Sequence, residues 1–375
     1  MLRDLSVRLE RVGRYAEALA AAKEAVRLYE ELDRDTRVLH RPDLADAVSS
    51  LVGVLDRVGQ YAEARAAAKE AVRLYRELDR DTPVVHRPGL AWAVHGLAVV
   101  LGHGGRYAEA LTAAEEAVQL FRELDRDTTF LASAVGSLGI ALDRVGRPAE
   151  ALAAAEEAVR LYEALDRVTP VVHRPDLASA VRGRAAALVQ VGRYAEASAA
   201  AKEAVRLYEE LDRDTPIVHR PGLASALSIL GIALGYVGRH AEALTVAEEA
   251  VRRYRELDRV TPVVHRPGLA SAVSNLATVL DHVGQYAEAL TVAEEAVRLY
   301  RELDRVTPVV HRPGLASAVS NFAAGLGHVG QYAEALAAAE EAVQLYRGLA
   351  QQWSQMYAGM HADAEADVRR LEAHG

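Results

Sequence analysis

Apolar residues along this chain recur every three to four positions in blocks, broken by short stretches rich in Gly, Thr and Pro. In residues 269–283 (LASAVSNLATVLDHV), Leu269, Val273, Leu276 and Leu280 share one helical face, the spacing of an amphipathic helix. Pro267 and Gly268 precede this block, and proline suits a first helical turn. Gly284 closes it, as a glycine beyond a helix C-terminus commonly does. From about Ala287 to Leu303 a second block gathers Ala289, Ala293, Ala296, Val297, Tyr300 and Leu303 on one side. Its other side carries Glu294, Arg298 and Glu302, four residues apart, pairs that add roughly 0.2–0.5 kcal/mol each and keep the face wet. The pattern predicts two helices meeting at a glycine turn, then a loop holding Thr307, Pro308, His311 and Pro313.

The same pattern returns along the chain. The string G-[RQ]-x-A-E-A recurs at Gly13, Gly59, Gly105, Gly146, Gly192, Gly238, Gly284 and Gly330, spaced 46, 46, 41, 46, 46, 46 and 46 residues apart. The short interval has one cause: most links read LDR-x-T-P-V-V-H-R-P, whereas residues 124–132 read LDRDTTFLA and have lost five residues. Eight repeats occupy residues 1–347, with no break in composition. Eleven of the twelve prolines fall in the predicted loops, Pro148 being the exception. One helical pair cannot bury its own apolar stripe, so neighbouring pairs must stack. Thirteen of fifteen tyrosines stand at two repeat positions, after the turn glycine and at the end of the second helix, where rings fill gaps between alanine-rich helices. Residues 348–375 leave the repeat. Leu349, Trp353, Met356, Met360, Val368 and Leu371 there form the stripe of a capping helix, and Leu2, Leu5 and Leu9 give the shortened first helix its packing side.

Composition narrows the function. At 375 residues the chain exceeds one compact core, and stacked repeats remove any need for a second globular domain. The formal charge of −9 repels phosphate, so nucleic acid is not an expected partner. No run approaches about 18 consecutive apolar residues, so no membrane span is expected. Residues 1–12 lack a signal peptide's apolar core, which places the protein in the cytoplasm. Without cysteine there is no disulfide, thiolate metal site or cysteine nucleophile.

Leu230-Gly231, Leu234, Gly238, Ala243 and Ala250 carry the spacing of tetratricopeptide repeats, which the chain resembles over some 345 residues. His311-Arg-Pro-Gly-Leu-Ala, with Asn275 and Asn321 before a large residue and alanine, is similar to the kinesin-light-chain type of that repeat, found in bacterial scaffolds. The resemblance implies an all-α fold: a right-handed α-solenoid of eight helix-turn-helix repeats with a C-terminal capping helix. It also implies a concave groove lined by the first helices, in which the two asparagines bond a peptide backbone. No G-x-x-x-x-G-K-[ST] loop occurs, so the ATPase found beside some such arrays is missing.

Eight copies allow internal comparison. The second helices are nearly uniform, while the first helices diverge at positions 10, 9, 6, 3 and 2 before each turn glycine. From these positions, and one turn earlier, the candidate partner-binding residues are Trp92, His95, His103, Arg182, Tyr236, Asn275, His282, Asn321 and His328. Trp92 and Tyr236 are the apolar anchors, since aromatic residues dominate interface energetics; the competing explanation is drift after duplication. Arg182 and Arg184 form a basic spot, or Arg184 snorkels at a packing irregularity. His40, His86, His173, His219, His265 and His311 occur once per loop. Stacked pairs stand about 8–10 Å apart, too far for a shared zinc site, so these imidazoles are expected to serve the loop. No cofactor or metal is expected. With no G-x-S-x-G or H-E-x-x-H motif, the chain reads as a non-enzymatic scaffold holding a protein or peptide segment in its groove. The alternatives are a sensor module whose effector is another chain, and a structural homo-oligomer stacking through the N-terminal edge.

Overall fold

The computed structural model describes residues 2–11, 14–124, 128–214 and 216–373, and every element among them is an α-helix. The chain divides into two compact units, Met1–Arg144 and Val145–Gly375. The division falls between the two helices of the fourth repeat, where composition does not change. In the N-terminal unit the first helices of the repeats are α1 (Leu2–Arg11), α3 (Arg37–Arg57), α5 (Pro83–His103) and α7 (Thr128–Arg144). The second helices are α2 (Tyr15–Asp35), α4 (Tyr61–Asp81) and α6 (Tyr107–Leu124). The C-terminal unit opens with α8 (Pro148–Val168), followed by the pairs α9 (Pro170–Gln190) and α10 (Tyr194–Asp214), and α11 (Pro216–Tyr236) and α12 (His240–Val260). It ends with α13 (Pro262–Val283) and α14 (Tyr286–Val306), α15 (Pro308–His328) and α16 (Tyr332–Gln352), and the last helix α17 (Ser354–Glu372).

Within each unit every helix packs on the next. Successive first helices also touch, α3 on α5 and α5 on α7 in one unit, α9 on α11, α11 on α13 and α13 on α15 in the other, and no comparable contact joins successive second helices. Each stack therefore bends toward its first helices, whose free side chains form the inner wall. The turn glycines from Gly59 to Gly330 hold φ between 74° and 82°, a region that costs an L-residue strain. Gly13 and residues 125–127 of the shortened link lie outside the described residues.

The predicted loops are largely helix. A single threonine, such as Thr261, separates α12 from α13, and Pro262 takes the first helical position. Pro267 then sits inside α13, where it forfeits one i→i−4 bond. The histidines sit in the opening turns of the first helices; the backbone N–H of His265 closes a turn on Thr261 O at 3.1 Å. In several repeats the arginine before this proline braces the stretch. Arg41 forks onto Asp33 at 2.8 and 3.0 Å and also reaches Glu77 on α4. Arg174 bonds Asp166 and Glu210, and Arg266 bonds Asp258 and Glu302, in the same pattern. Each arginine thus ties the end of one repeat to the second helix of the next through planar, charge-assisted bonds. Glu302 serves this link rather than the expected pairing with Arg298. Further out, Arg76–Glu116, Arg255–Glu295 and Arg301–Glu341 rung successive second helices together at 2.7–2.8 Å, exposed pairs worth little singly.

Most tyrosines ending the second helices are buried wedges, among them Tyr75, Tyr208 and Tyr254. Tyr254 bonds Ser225 on the first helix of its own repeat, while its ring crosses Gly268 of the next. A Cβ added to Gly268 would lie 2.3 Å from that ring. Tyr75–Gly89, Tyr208–Gly222 and Tyr300–Gly314 repeat the contact, so this glycine is present for close approach. The ends differ from expectation. In α1 the buried residue is Ser6, bonded to Ala18 O at 3.0 Å, and Leu5 is exposed. In α17 Tyr357 and Ala364 are buried while Met360 is exposed, because Tyr357 faces Tyr346 of α16, ring centres 6.5 Å apart. Two helices are long and apolar enough by composition to cross a membrane, α5 and the 218–236 stretch of α11, although no continuous apolar run shows this; much of each lies buried in the stack.

Candidate partner-binding wall

The inner wall is built by side chains that lean from one first helix to the next. In the N-terminal unit Trp92 on α5 is 47% exposed. Its ring centre lies 5.0 Å from Phe130 on α7 and 5.5 Å from His95, and Phe121 on α6 lies 6.0 Å from Phe130. In repeat register these three aromatic residues replace the wedge: Trp92 stands at the serine, Phe121 at the tyrosine and Phe130 at the glycine. The shortened link thus comes with a junction sealed by hydrocarbon instead of a hydroxyl bond. Two of the chain's three Phe residues, Phe121 and Phe130, and their repeat register were the available sequence signal beside Trp92. His95 is buried, with Nε2 3.4 Å from Ser133 Oγ and Nδ1 unpartnered. Burial pushes its imidazole down to about 4, so it is neutral at neutral pH.

His103, nearer the turn, donates from Nδ1 to the Asp56 carboxylate at 2.8 Å. That bond holds the imidazole above its ordinary value, against burial and Arg144. Arg144 itself lies over the Tyr107 ring at 5.9 Å.

In the C-terminal unit Tyr194 and Tyr236 stack with ring centres 4.2 Å apart and planes 9° apart, and His282 meets Tyr236 edge-on at 5.0 Å. Tyr236 is 48% exposed, and burial of the remainder raises its hydroxyl above the ordinary tyrosine value. One repeat on, His328 bonds Asp281 at 2.7 Å and lies 4.5 Å from Tyr286. Asp56–His103, Ser228–Asn275 and Asp281–His328 are each 47 residues apart. A wall position therefore faces the adjacent position of the following repeat, a rule that would have found the aspartates in sequence; Tyr194 and Tyr286 instead stand 42 residues before their partners Tyr236 and His328.

Asn275 and Asn321 lie on this wall, but their Nδ2 groups donate to Ser228 at 2.9 Å and Thr278 at 3.1 Å. Arg182 reaches Ser179 and Ser225 at 3.4 Å. Arg184 turns away to Glu203 on α10 at 2.9 Å, so it does not join Arg182 in a basic spot. Between α15, α16 and α17 the wall opens into a cavity of about 220 Å³, lined by Ser320, Ala324, Gly327, His328, Asp367 and Arg370 among others. Small residues at Ala324 and Gly327 make this space. Among the described residues no three His, Asp or Glu side chains converge as a metal site.

Tetratricopeptide repeat models match residues 1–32, 44–78, 223–257, 269–303 and 315–350, and further models of the same repeat match 89–164 and 137–212. No curated protein matches the sequence. Among solved structures, the Rap protein complexed with competence and sporulation factor is similar over 99% of this chain and 98% of its own, at 12% identity and a TM-score of 0.56. BtubC (BKLC) from P. vanneervenii is similar over 64% of this chain and 91% of its own, at 17% identity and a TM-score of 0.52. A putative kinesin light chain from Podosopora anserina follows at 19% identity over 57% of this chain and 95% of its own, TM-score 0.42. The matched residues make up most of the chain, and they are the helical pairs seen stacked here; the chain belongs to the tetratricopeptide repeat family.

Proposed function

We propose that this protein is a non-enzymatic scaffold that holds a protein or peptide segment along the inner wall of its repeats, in the cytoplasm. The observation that carries this reading is the split between two kinds of surface. Second helices are joined to one another by charged pairs such as Arg255–Glu295 and Arg301–Glu341, whereas the inner wall leaves half-exposed rings, Trp92 and Tyr236, beside polar groups. Half-exposed aromatic residues flanked by hydrogen-bonding groups are what interface anchors require. A Rap protein of similar fold is complexed with competence and sporulation factor, and a partner held by this fold fits that precedent. In this reading Trp92, Tyr236 and His282 provide apolar contact, and the buried His95, expected on the wall as a contact, backs Trp92 from within. Arg182 and the paired His103 and His328 provide polarity. Asn275 and Asn321 each commit one N–H within the wall, to Ser228 and Thr278, and offer a backbone the second N–H and the carbonyl oxygen of the amide. The cavity beside Gly327 takes one apolar side chain of the partner.

The test is quantitative affinity capture from the native cell with the intact chain and with a variant carrying Trp92→Ala, Tyr236→Ala and Gly327→Leu. The expected result is loss of specific partners at unchanged helical circular dichroism. An unchanged set of captured proteins would refute the reading.

A further inference from the structure

The helices of the C-terminal unit end along two edges with different chemistry. At the threonine edge, Val168, Val260 and Val306 are 79–80% exposed and Val171 is 93% exposed. Each of the first three follows an exposed arginine, Arg167, Arg259 or Arg305. Unlike Arg174 and Arg266 seven residues later, these three make no ion pair among the described residues. At the opposite edge, along the turn glycines, arginine usually neutralises the glutamate three residues on, as in Arg147–Glu150 and Arg193–Glu196 at 2.5 Å. The last two turns carry Gln285 and Gln331 instead. That leaves Glu288 and Glu334 exposed beside the exposed rings of Tyr286 and Tyr332.

We propose that these edges bind each other between two copies of this chain, the arginine–valine edge of one on the tyrosine–glutamate edge of the next. Charge and surface match at each point: guanidinium to carboxylate, valine to ring. Exposed apolar residues that recur in a row, rimmed by charge, mark an interaction surface better than scattered ones do. The register matches as well. Both edges belong to the same helical pairs, so their features share one period, and Arg259 and Arg305 can meet Glu288 and Glu334 of the other copy together. The unit already contains one meeting of the two edges. Met356, in the opening turn of α17 and so at the threonine edge, lies against the turn glycine Gly146, where an added Cβ would be 3.2 Å from its own. Since the two surfaces differ, the contact is heterologous, and association is head-to-tail and open to further copies. It is distinct from stacking of the N-terminal repeat.

Sedimentation velocity and light scattering of the full chain over a range of concentrations test this. At low ionic strength the mean mass is expected to rise at least twofold above the monomer, and to fall back at high salt, which screens exposed charges. Arg259→Glu with Arg305→Glu should stay monomeric, as should Glu288→Arg with Glu334→Arg. An equimolar mixture of the two variants should associate again, because the reversed charges are complementary across the contact. Val260→Asp with Val306→Asp should weaken association while helical circular dichroism and melting stay unchanged, because these side chains are exposed. A wild-type chain that remains monomeric throughout overturns the proposal, as does association of either charge-reversed variant at the wild-type level. Salt-sensitive binding of a monomer to anionic vesicles through Arg259 and Arg305, without self-association, would overturn it in favour of a lipid surface.

Discussion

Protonating His95 should unfold the N-terminal unit selectively. The imidazole is buried beside Trp92 and Ser133, its Nδ1 has no partner, and its pKa is about 4 against an ordinary 6.5. Between those values the unfolded chain binds a proton that the folded chain refuses. Stability therefore falls as pH drops through this window and is unaffected above it. At about 1.4 kcal/mol per pH unit, the full loss is about 3 kcal/mol, of which about 2 kcal/mol should be reached by pH 5. The assay is urea unfolding followed by Trp92 fluorescence in a Trp353→Phe background, at several pH values, for His95 and for His95→Gln. Carboxylates and His103 titrate in both proteins, so the difference isolates His95. The glutamine variant should lose markedly less stability between pH 7 and pH 5. Parallel pH dependences for the two proteins would refute the reasoning, and so would a parent chain that gains on the variant as pH falls.

Other outcomes follow from particular contacts. His103 has the opposite sign: Asp56 raises its pKa, so its contribution is complete below the ordinary histidine value and is lost as pH rises through the raised one; Asp56→Asn should abolish that slope in hydrogen exchange of α3 and α5. Arg41→Met should cost about 2 kcal/mol in thermal unfolding, since its side chain is only 11% exposed and its loss removes the guanidinium fork from the nearly buried Asp33. Arg41→Lys should recover little of this, having no fork to match the carboxylate. Exposed Arg167→Ala should change stability by less than about 0.5 kcal/mol. Gly268→Ala should cost about 1–3 kcal/mol through the clash with Tyr254, and Tyr254→Leu should make the second change cheaper in a double-mutant cycle.

Local periodicity and the 46-residue recurrence were enough to determine helical pairs, their number and their need to stack, because amphipathic stripes and turn glycines act over a few residues. The positions of Trp92 and Tyr236 on the wall were legible for the same reason, as the places where copies differ. Sequence did not decide where helices end. Pro267 and Pro308 read as loop by local propensity and lie in helix, in a stretch that Arg266 braces against two carboxylates, one of them 36 residues away. Nor did it decide what each wall side chain spends its polar groups on. Asn275 and Asn321 looked free in a single repeat and each give one N–H, to Ser228 and Thr278 of the one before, while Arg184 turned to Glu203. The aromatic cluster of Trp92, Phe121 and Phe130 likewise exists only once three helices meet. Within one repeat the chain's own pattern suffices. Between repeats, contact depends on the angle and offset at which pairs stack, and that is set by wedges such as Tyr254 on Gly268, formed only in the folded array.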